Sequence, residues 1–311
     1  RGRATGPASP RTRSAAVAEH VIVVSIDGLR PDAIGEYGAA TIRRLMRQGG
    51  HSLGARTILP SKTLPSHTSM LTGLEPEEHG IGWNSRRTDE HGVVGVPTIF
   101  ELAKRRGLTT AGFFSKAKFH HLVRPGSLDY WQAPSSNLEH WMAPWTVAAA
   151  AGHLRHERPN LAFVHIGEPD YAGHALGWMG WLYGLAVKRA DAAVAELVEA
   201  ADDAYGRGNY TLILTSDHGG HDRDHGSDDP RDMTIPWLVW GQGVEAGGTL
   251  PDGIRIMDTA ATALWLLGID VPDAWAGFPV AVAFTREARA VADAAQTGRR
   301  DGRFSAVAQQ R

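Results

Sequence analysis

Val21-Ile22-Val23-Val24-Ser25-Ile26-Asp27 is the stretch that decides the fold. Five apolar residues, all β-branched, surround one serine, and a carboxylate follows at once. That run reads as a strand buried on both faces, the habit of strands inside a parallel sheet. Leu161-Ala162-Phe163-Val164-His165-Ile166 and Tyr210-Thr211-Leu212-Ile213-Leu214-Thr215 have the same character. Thr109 to Ser115 and Trp237 to Trp240 are weaker strand candidates. Helical patterning fills the intervals at about 41–49, 65–72, 97–106, 145–157, 175–204 and 258–267, the last closed by Gly268. Strands alternating with helices predict an α/β fold, with a mostly parallel central sheet sandwiched by helices.

The 311 residues suit one large α/β domain or two small ones. A formal net charge of -2, from 32 basic and 34 acidic residues, gives no support for a nucleic-acid-binding surface. The chain has no cysteine, which excludes disulfides, thiolate catalysis and Cys-ligated zinc, while 15 histidines leave room for a histidine and carboxylate metal site. No apolar run approaches the ~18 residues of a membrane span. Residues 1–18 read as a disordered basic arm, with Arg1, Arg3, Arg11 and Arg13 and no apolar region of a signal peptide. Arg1 in place of Met suggests a processed or truncated N-terminus, a weak lean toward a secreted protein. Residues 19–282 form the expected catalytic domain. Within it, 117–144, rich in His, Trp and Pro, is expected as a loop insertion over the site. Residues 283–311 are expected as a terminal helix fraying into a tail. No pattern fixes an oligomeric state.

The acids follow the strands. Asp27 comes directly after the first, Asp217 after the third with one Ser between, and Asp170 a few residues after the second. Parallel sheets bind ligands at the carboxyl ends of their strands. One such Asp is an ordinary turn or cap residue; three at one sheet edge point to a site.

Asp217-His218-Gly219-Gly220 sets a carboxylate beside an imidazole, with His225 seven residues beyond His218. Hard oxygen with imidazole nitrogen suits zinc, manganese or iron. Asp170 and His174 are four apart, on one face of a helix that starts near Asp170. In Lys62-Thr63-Leu64-Pro65, Pro65 favours a first helical turn. Thr63 then stands at a helix N-terminus, where free amides and the positive dipole end favour an alkoxide nucleophile and a phosphoryl anion. Each pattern has a plainer reading: an acidic loop, a capping Asp170 with a packed His174, a capping Thr63.

Val23-Val24-Ser25-Ile26-Asp27-Gly28-Leu29-Arg30-Pro31-Asp32 resembles the opening of the alkaline phosphatase superfamily, and more closely its nucleotide pyrophosphatase/phosphodiesterase branch. Lys62-Thr63-Leu64-Pro65, followed by Thr72-Gly73-Leu74 and His79-Gly80-Ile81, is similar to that branch's nucleophile segment. Pro169-Asp170 with Gly173-His174, and Ser216-Asp217-His218-Gly219, match two further motifs in the expected order. The resemblance implies two divalent metal ions, zinc in this division. One is held by Asp27, Asp217 and His218, with Thr63 joining it. The other is held by Asp170, His174 and His225, with His221 as the competitor for the last place. It implies Asn84 as a phosphate contact and Thr63 as a nucleophile passing through a phospho-threonine. Lys62 either steadies a phosphate charge or is a surface lysine.

The implied function is a two-metal hydrolase of phosphoester-type bonds on small molecules, foremost a phosphodiesterase or nucleotide pyrophosphatase. Phosphomonoester or phosphonate hydrolysis and phosphoryl transfer are the alternatives. Sulfatases of this fold need a Cys or Ser where this chain has Thr63.

Overall fold

The computed structural model describes residues 16–295. Among these, eight strands form one sheet: β1 Val21–Ile26, β2 Gly50–Arg56, β3 Thr110–Phe113, β4 Tyr130–Gln132, β5 Leu161–Ile166, β6 Thr211–Thr215, β7 Thr234–Gly241 and β8 Gly248–Thr249. Their order across the sheet is β4-β3-β5-β1-β6-β7-β2-β8. The first five in that order are mutually parallel. β7 pairs antiparallel with both β6 and β2, and so is the one reversed strand. The expected α/β architecture, a mostly parallel sheet between helices, is the observed one.

Successive strand residues face opposite sides of a sheet, and the core divides accordingly. Val21, Val23, Phe163 and Ile213 pack on one face with the helices Thr63–Thr72, Ile99–Arg105 and Asp258–Leu266. Ile22, Val24, Val164 and Leu214 pack on the other with Ala40–Gln48, Ala143–Glu157 and Trp181–Tyr205. All six residues of β1 are buried, as a central strand covered on both faces requires.

Several boundaries differ from expectation. The helix expected at 175–204 is two helices, Glu168–Leu176 and Trp181–Tyr205. Gly177 at φ +98° breaks the run, and Trp178 N donates to Asp222 O at 2.8 Å. β2 escaped notice because its sequence, Gly-His-Ser-Leu-Gly-Ala-Arg, lacks an apolar alternation and carries a register shift between Ser52 and Ala55. Residues 1–15 of the expected basic arm lie outside the described residues, but Val17 and Ala18 do not behave as an arm. Both are buried, and both donate backbone N–H bonds to Leu266 O. The stretch 117–144 is more than a loop over the site: Phe119 and Leu122 enter the core, and β4 extends the sheet. At the other end, the helix Arg286–Ala295 sets Ala288 and Ala292 into the core, and the expected tail beyond it lies outside the described residues.

Candidate metal centre and nucleophile

Four adjacent strands, β3, β5, β1 and β6, deliver polar groups to one edge of the sheet. Asp27 follows β1, Asp217 follows β6 after Ser216, and Asp170 lies in the helix after β5. Lys116 follows β3 after two further residues. Gly28 makes this convergence fit. Its φ is +71°, and a Cβ there would sit 3.1 Å from the Asp170 Cα. Its N–H donates to Asp217 Oδ1 at 3.1 Å.

The three carboxylates share one arrangement. Each commits one oxygen to the protein: Asp217 Oδ1 to Gly28, Asp27 Oδ2 to His165 and Lys116, Asp170 Oδ2 to Lys116. The other oxygen of each, Asp27 Oδ1, Asp170 Oδ1 and Asp217 Oδ2, is buried without a partner. His218 Nε2 and Thr63 Oγ1 are buried without partners too. Ten buried side-chain atoms among the described residues lack a partner, and five of them belong to these five residues. Buried polar groups are rarely left unpaired, so a concentration of them marks a place built for a ligand.

The imidazoles are oriented alike. His218 donates Nδ1–H to Gly219 O at 2.8 Å, His225 to Ser61 O at 2.8 Å and His174 to Arg223 O at 2.9 Å. A backbone acceptor on one ring nitrogen fixes the tautomer and frees the other for a metal. The free Nε2 of His218 lies 3.3 Å from Asp27 Oδ1 and 3.2 Å from Asp217 Oδ2. The free Nε2 atoms of His174 and His225 lie 3.1 Å apart, at 3.4 and 3.5 Å from Asp170 Oδ1. Two nitrogen lone pairs that close repel unless a cation lies between them. Two groups therefore could each hold an ion: Asp27, Asp217 and His218; and Asp170, His218 and His225, with the expected His174 outside that second group but its Nε2 3.4 Å from Asp170 Oδ1. Oxygen and imidazole donors of this kind fit a divalent metal ion. His221 turns elsewhere, its Nδ1 on Asp232 Oδ1 at 2.7 Å.

Thr63 is the first residue of its helix, and His67 ties it to this centre. His67 Nδ1 donates to Thr63 O at 2.7 Å and lies 3.4 Å from Asp217 Oδ2, while Ser25 Oγ donates to His67 Nε2 at 2.8 Å. The expected cluster of free helix amides is smaller than sequence suggested. Leu64 N–H goes to Asn84 Oδ1 at 2.9 Å, Pro65 has none, and Ser66 N–H goes to Lys62 O, which leaves the N–H of Thr63 itself. Asn84 Oδ1 also accepts from Lys118 at 3.1 Å, so its amide orientation is set and Nδ2 is the free donor. Lys62 is half-buried, with its alkyl chain over Gly226, and has no ion pair among the described residues. Lys116, Lys118 and His165 were missed from sequence. Lys116 could have been found by the rule that exposed the acids, since it too follows a strand of the parallel sheet.

Burial and neighbouring charge set the electrostatics. Burial pushes the Asp27 carboxyl up, yet Lys116, His165 and His218 hold it well below the usual range. Asp217 is pushed up to about 7 by burial and by Asp27. For His218, burial acts downward, but Asp217 and Asp27 outweigh it and raise the imidazole to about 9. His225 is lowered to about 3 by burial and by His218, which keeps it neutral. Lys116 loses to burial but gains more from Asp170 and Asp27, and stays an ammonium.

The chain is similar to known proteins in sequence and in fold. Human ectonucleotide pyrophosphatase/phosphodiesterase family member 1 is 26% identical over 224 residues, 64% of this chain and 23% of that protein. The GPI ethanolamine phosphate transferase 1 of Aspergillus oryzae is 24% identical over 312 residues, 83% of this chain and 30% of that one. The chain thus spans about a quarter to a third of the curated relatives' length. Among solved structures, murine ectonucleotide pyrophosphatase/phosphodiesterase 5, an inactive variant in complex with AMP, superposes with a TM-score of 0.73 at 17% identity, over 86% of this chain and 100% of that one. A 2-O glycosaminoglycan sulfatase shares the fold, with a TM-score of 0.67 at 15% identity, over 85% of this chain and 73% of that one. A family model described as type I phosphodiesterase/nucleotide pyrophosphatase matches residues 21–233, and to that family the chain belongs.

Proposed function

We propose that the chain is a two-metal phosphodiesterase or nucleotide pyrophosphatase with Thr63 as its nucleophile. The observation that carries this is the set of five unpartnered buried atoms: Asp27 Oδ1, Asp170 Oδ1, Asp217 Oδ2, His218 Nε2 and Thr63 Oγ1. Asp27, Asp217, His218 and Thr63 would hold one zinc ion, and Asp170, His174 and His225 the other. When bound, such a pair neutralises phosphoryl oxygens and lowers the pKa of a hydroxyl or water it touches.

Thr63 Oγ1 attacks phosphorus as the bond to the leaving oxygen breaks, and a phospho-threonine ester forms. Asn84 Nδ2 and the Thr63 N–H donate to the non-bridging oxygens as charge builds there. Asn84 can aim its nitrogen because Leu64 and Lys118 occupy its oxygen. His67 holds the Thr63 backbone against the β1 end. Water then attacks the same phosphorus and frees Thr63. AMP in the complex of the murine relative supports a nucleotide-sized substrate. Lys62 is proposed to sit beside the entering charge. No described helix is long and apolar enough to cross a membrane, and the ectonucleotide relative by name favours an exported setting.

The assay is turnover by zinc-loaded protein of bis-p-nitrophenyl phosphate, p-nitrophenyl phosphate and p-nitrophenyl phenylphosphonate, with chelator controls. Diester turnover far above monoester turnover supports the reading; dominant monoester turnover moves it to a phosphatase. The transferase relative supports a second reading, phosphoryl transfer. An added acceptor alcohol that captures most of the product in place of water would favour it. Absence of chelator-sensitive turnover on all three substrates sinks the hydrolase reading.

A further inference from the structure

Lys116 occupies an unusual place. Its Nζ lies 2.6 Å from Asp27 Oδ2 and 2.5 Å from Asp170 Oδ2. Those carboxylates belong to the two different metal groups, and Lys116 takes the outer oxygen of each. The inner oxygens, Asp27 Oδ1 and Asp170 Oδ1, remain without partners and face His218, His174 and His225. The lysine thus does not compete for the atoms an ion would take.

It is also firmly held. Its ammonium lies over the Tyr171 ring, 5.1 Å from the centroid. The preceding residue closes a loop of contacts: Ser115 Oγ donates to His165 Nδ1 at 2.7 Å, His165 Nε2 donates to Asp27 Oδ2 at 2.9 Å, and Tyr171 donates its hydroxyl to Ser115 O at 3.0 Å. Lys116 and its surroundings are nearly fully buried, so solvent screens the pair of carboxylates little.

From this geometry, and resting on the two-metal reading, we propose that Lys116 is a built-in third cation that positions the two metal groups relative to each other and keeps the centre assembled when its ions leave. Bridging the outer oxygens holds Asp27 and Asp170 each to one free oxygen. It also offsets the repulsion of two buried carboxylates that ions would otherwise have to offset alone.

The test compares melting temperature and zinc content of the full chain, zinc-loaded and exhaustively chelated, in wild type, Lys116→Met and Lys116→Arg. Lys116→Met keeps most of the side-chain volume and removes the charge. Its loss of melting temperature on chelation should exceed that of wild type by at least about 5 °C, while Lys116→Arg stays near wild type. A merely structural lysine would lower loaded and chelated forms alike, and equal chelation shifts in wild type and Lys116→Met overturn the proposal. Should Lys116→Met prove too unstable to purify without zinc, Lys116→Met with Asp170→Asn provides the second comparison. Removing one of the two repelling charges should recover chelated stability, and failure to recover it overturns the proposal. Wild type that binds no zinc and ignores chelation would overturn the two-metal reading and this inference together, whereas zinc binding with equal shifts would overturn this inference alone.

Discussion

Asn84 offers a prediction whose size follows from its bonds. Its Oδ1 accepts from Leu64 N–H at 2.9 Å and from Lys118 at 3.1 Å, which leaves its Nδ2 free for the proposed phosphoryl contact. Asn84→Ala removes both functions. Loss of one preorganised donor to a developing oxyanion costs about 2.7–4 kcal/mol in the transition state, or about 10²–10³ in kcat. Loss of the acceptor on a helix-start N–H costs about 1 kcal/mol of stability, which at this chain length is roughly 2–4 °C of melting temperature. Asn84→Asp separates the two effects. It keeps an acceptor for Leu64 and Lys118, so stability should stay near wild type. It removes the donor and turns a negative charge toward a negative substrate, so its rate should fall below that of Asn84→Ala. The assay is kcat on bis-p-nitrophenyl phosphate at measured zinc stoichiometry, beside thermal melts. Asn84→Ala that keeps more than about a tenth of wild-type kcat with its zinc intact would refute the donor role.

His225→Ala should lose about one bound ion per chain, whereas His221→Ala should keep full zinc, since His221 pairs with Asp232 rather than with Asp170; reversed zinc contents would exchange their roles. Zinc uptake should release protons at neutral pH, because burial and Asp27 hold Asp217 up at about 7 and its acidic neighbours hold His218 at about 9 in the metal-free chain. Protons compete with the ion at both groups, so apparent affinity should weaken as pH falls from 9 to 6, read by titration calorimetry in buffers of different ionisation enthalpy. Buffer-independent heats would contradict this. Gly73→Ala should destabilise by more than about 2 kcal/mol in urea unfolding. Its φ is +68°, and a Cβ would lie 2.2 Å from Trp275 Cε3; wild-type stability would show that the helix end can shift.

The sheet was legible where strands are buried on both faces. β1, β5 and β6 announce themselves because burial demands an unbroken apolar run, and their carboxyl ends then locate Asp27, Asp170 and Asp217 without further information. β2 and β4 were illegible, since strands near the sheet margins need no such run and Gly54 or Tyr130 can sit half in solvent. The break at Gly177 is fixed by tertiary contacts that sequence does not show, Trp178 N–H donating to Asp222 O and the Tyr37 hydroxyl donating to Met179 O and Gly180 O. Lys116 went unread for a chemical reason. No acid lies near it in sequence, so its place just after β3 is the one hint there, and its meaning appears when β1 and β5 bring Asp27 and Asp170 to its two sides. His221 and His225 differ by four residues in sequence, and the buried Asp232 from the next helix is what turns one of them away.

The central claim is covalent: Thr63 carries the phosphoryl group. Zinc-loaded enzyme mixed with bis-p-nitrophenyl phosphate, quenched in acid within milliseconds and digested, should yield a peptide containing Thr63 with the added mass of a nitrophenyl phosphoryl ester. Thr63→Ala, with normal zinc content, should yield neither the adduct nor turnover. An adduct on another residue, or full turnover by Thr63→Ala, would contradict the account.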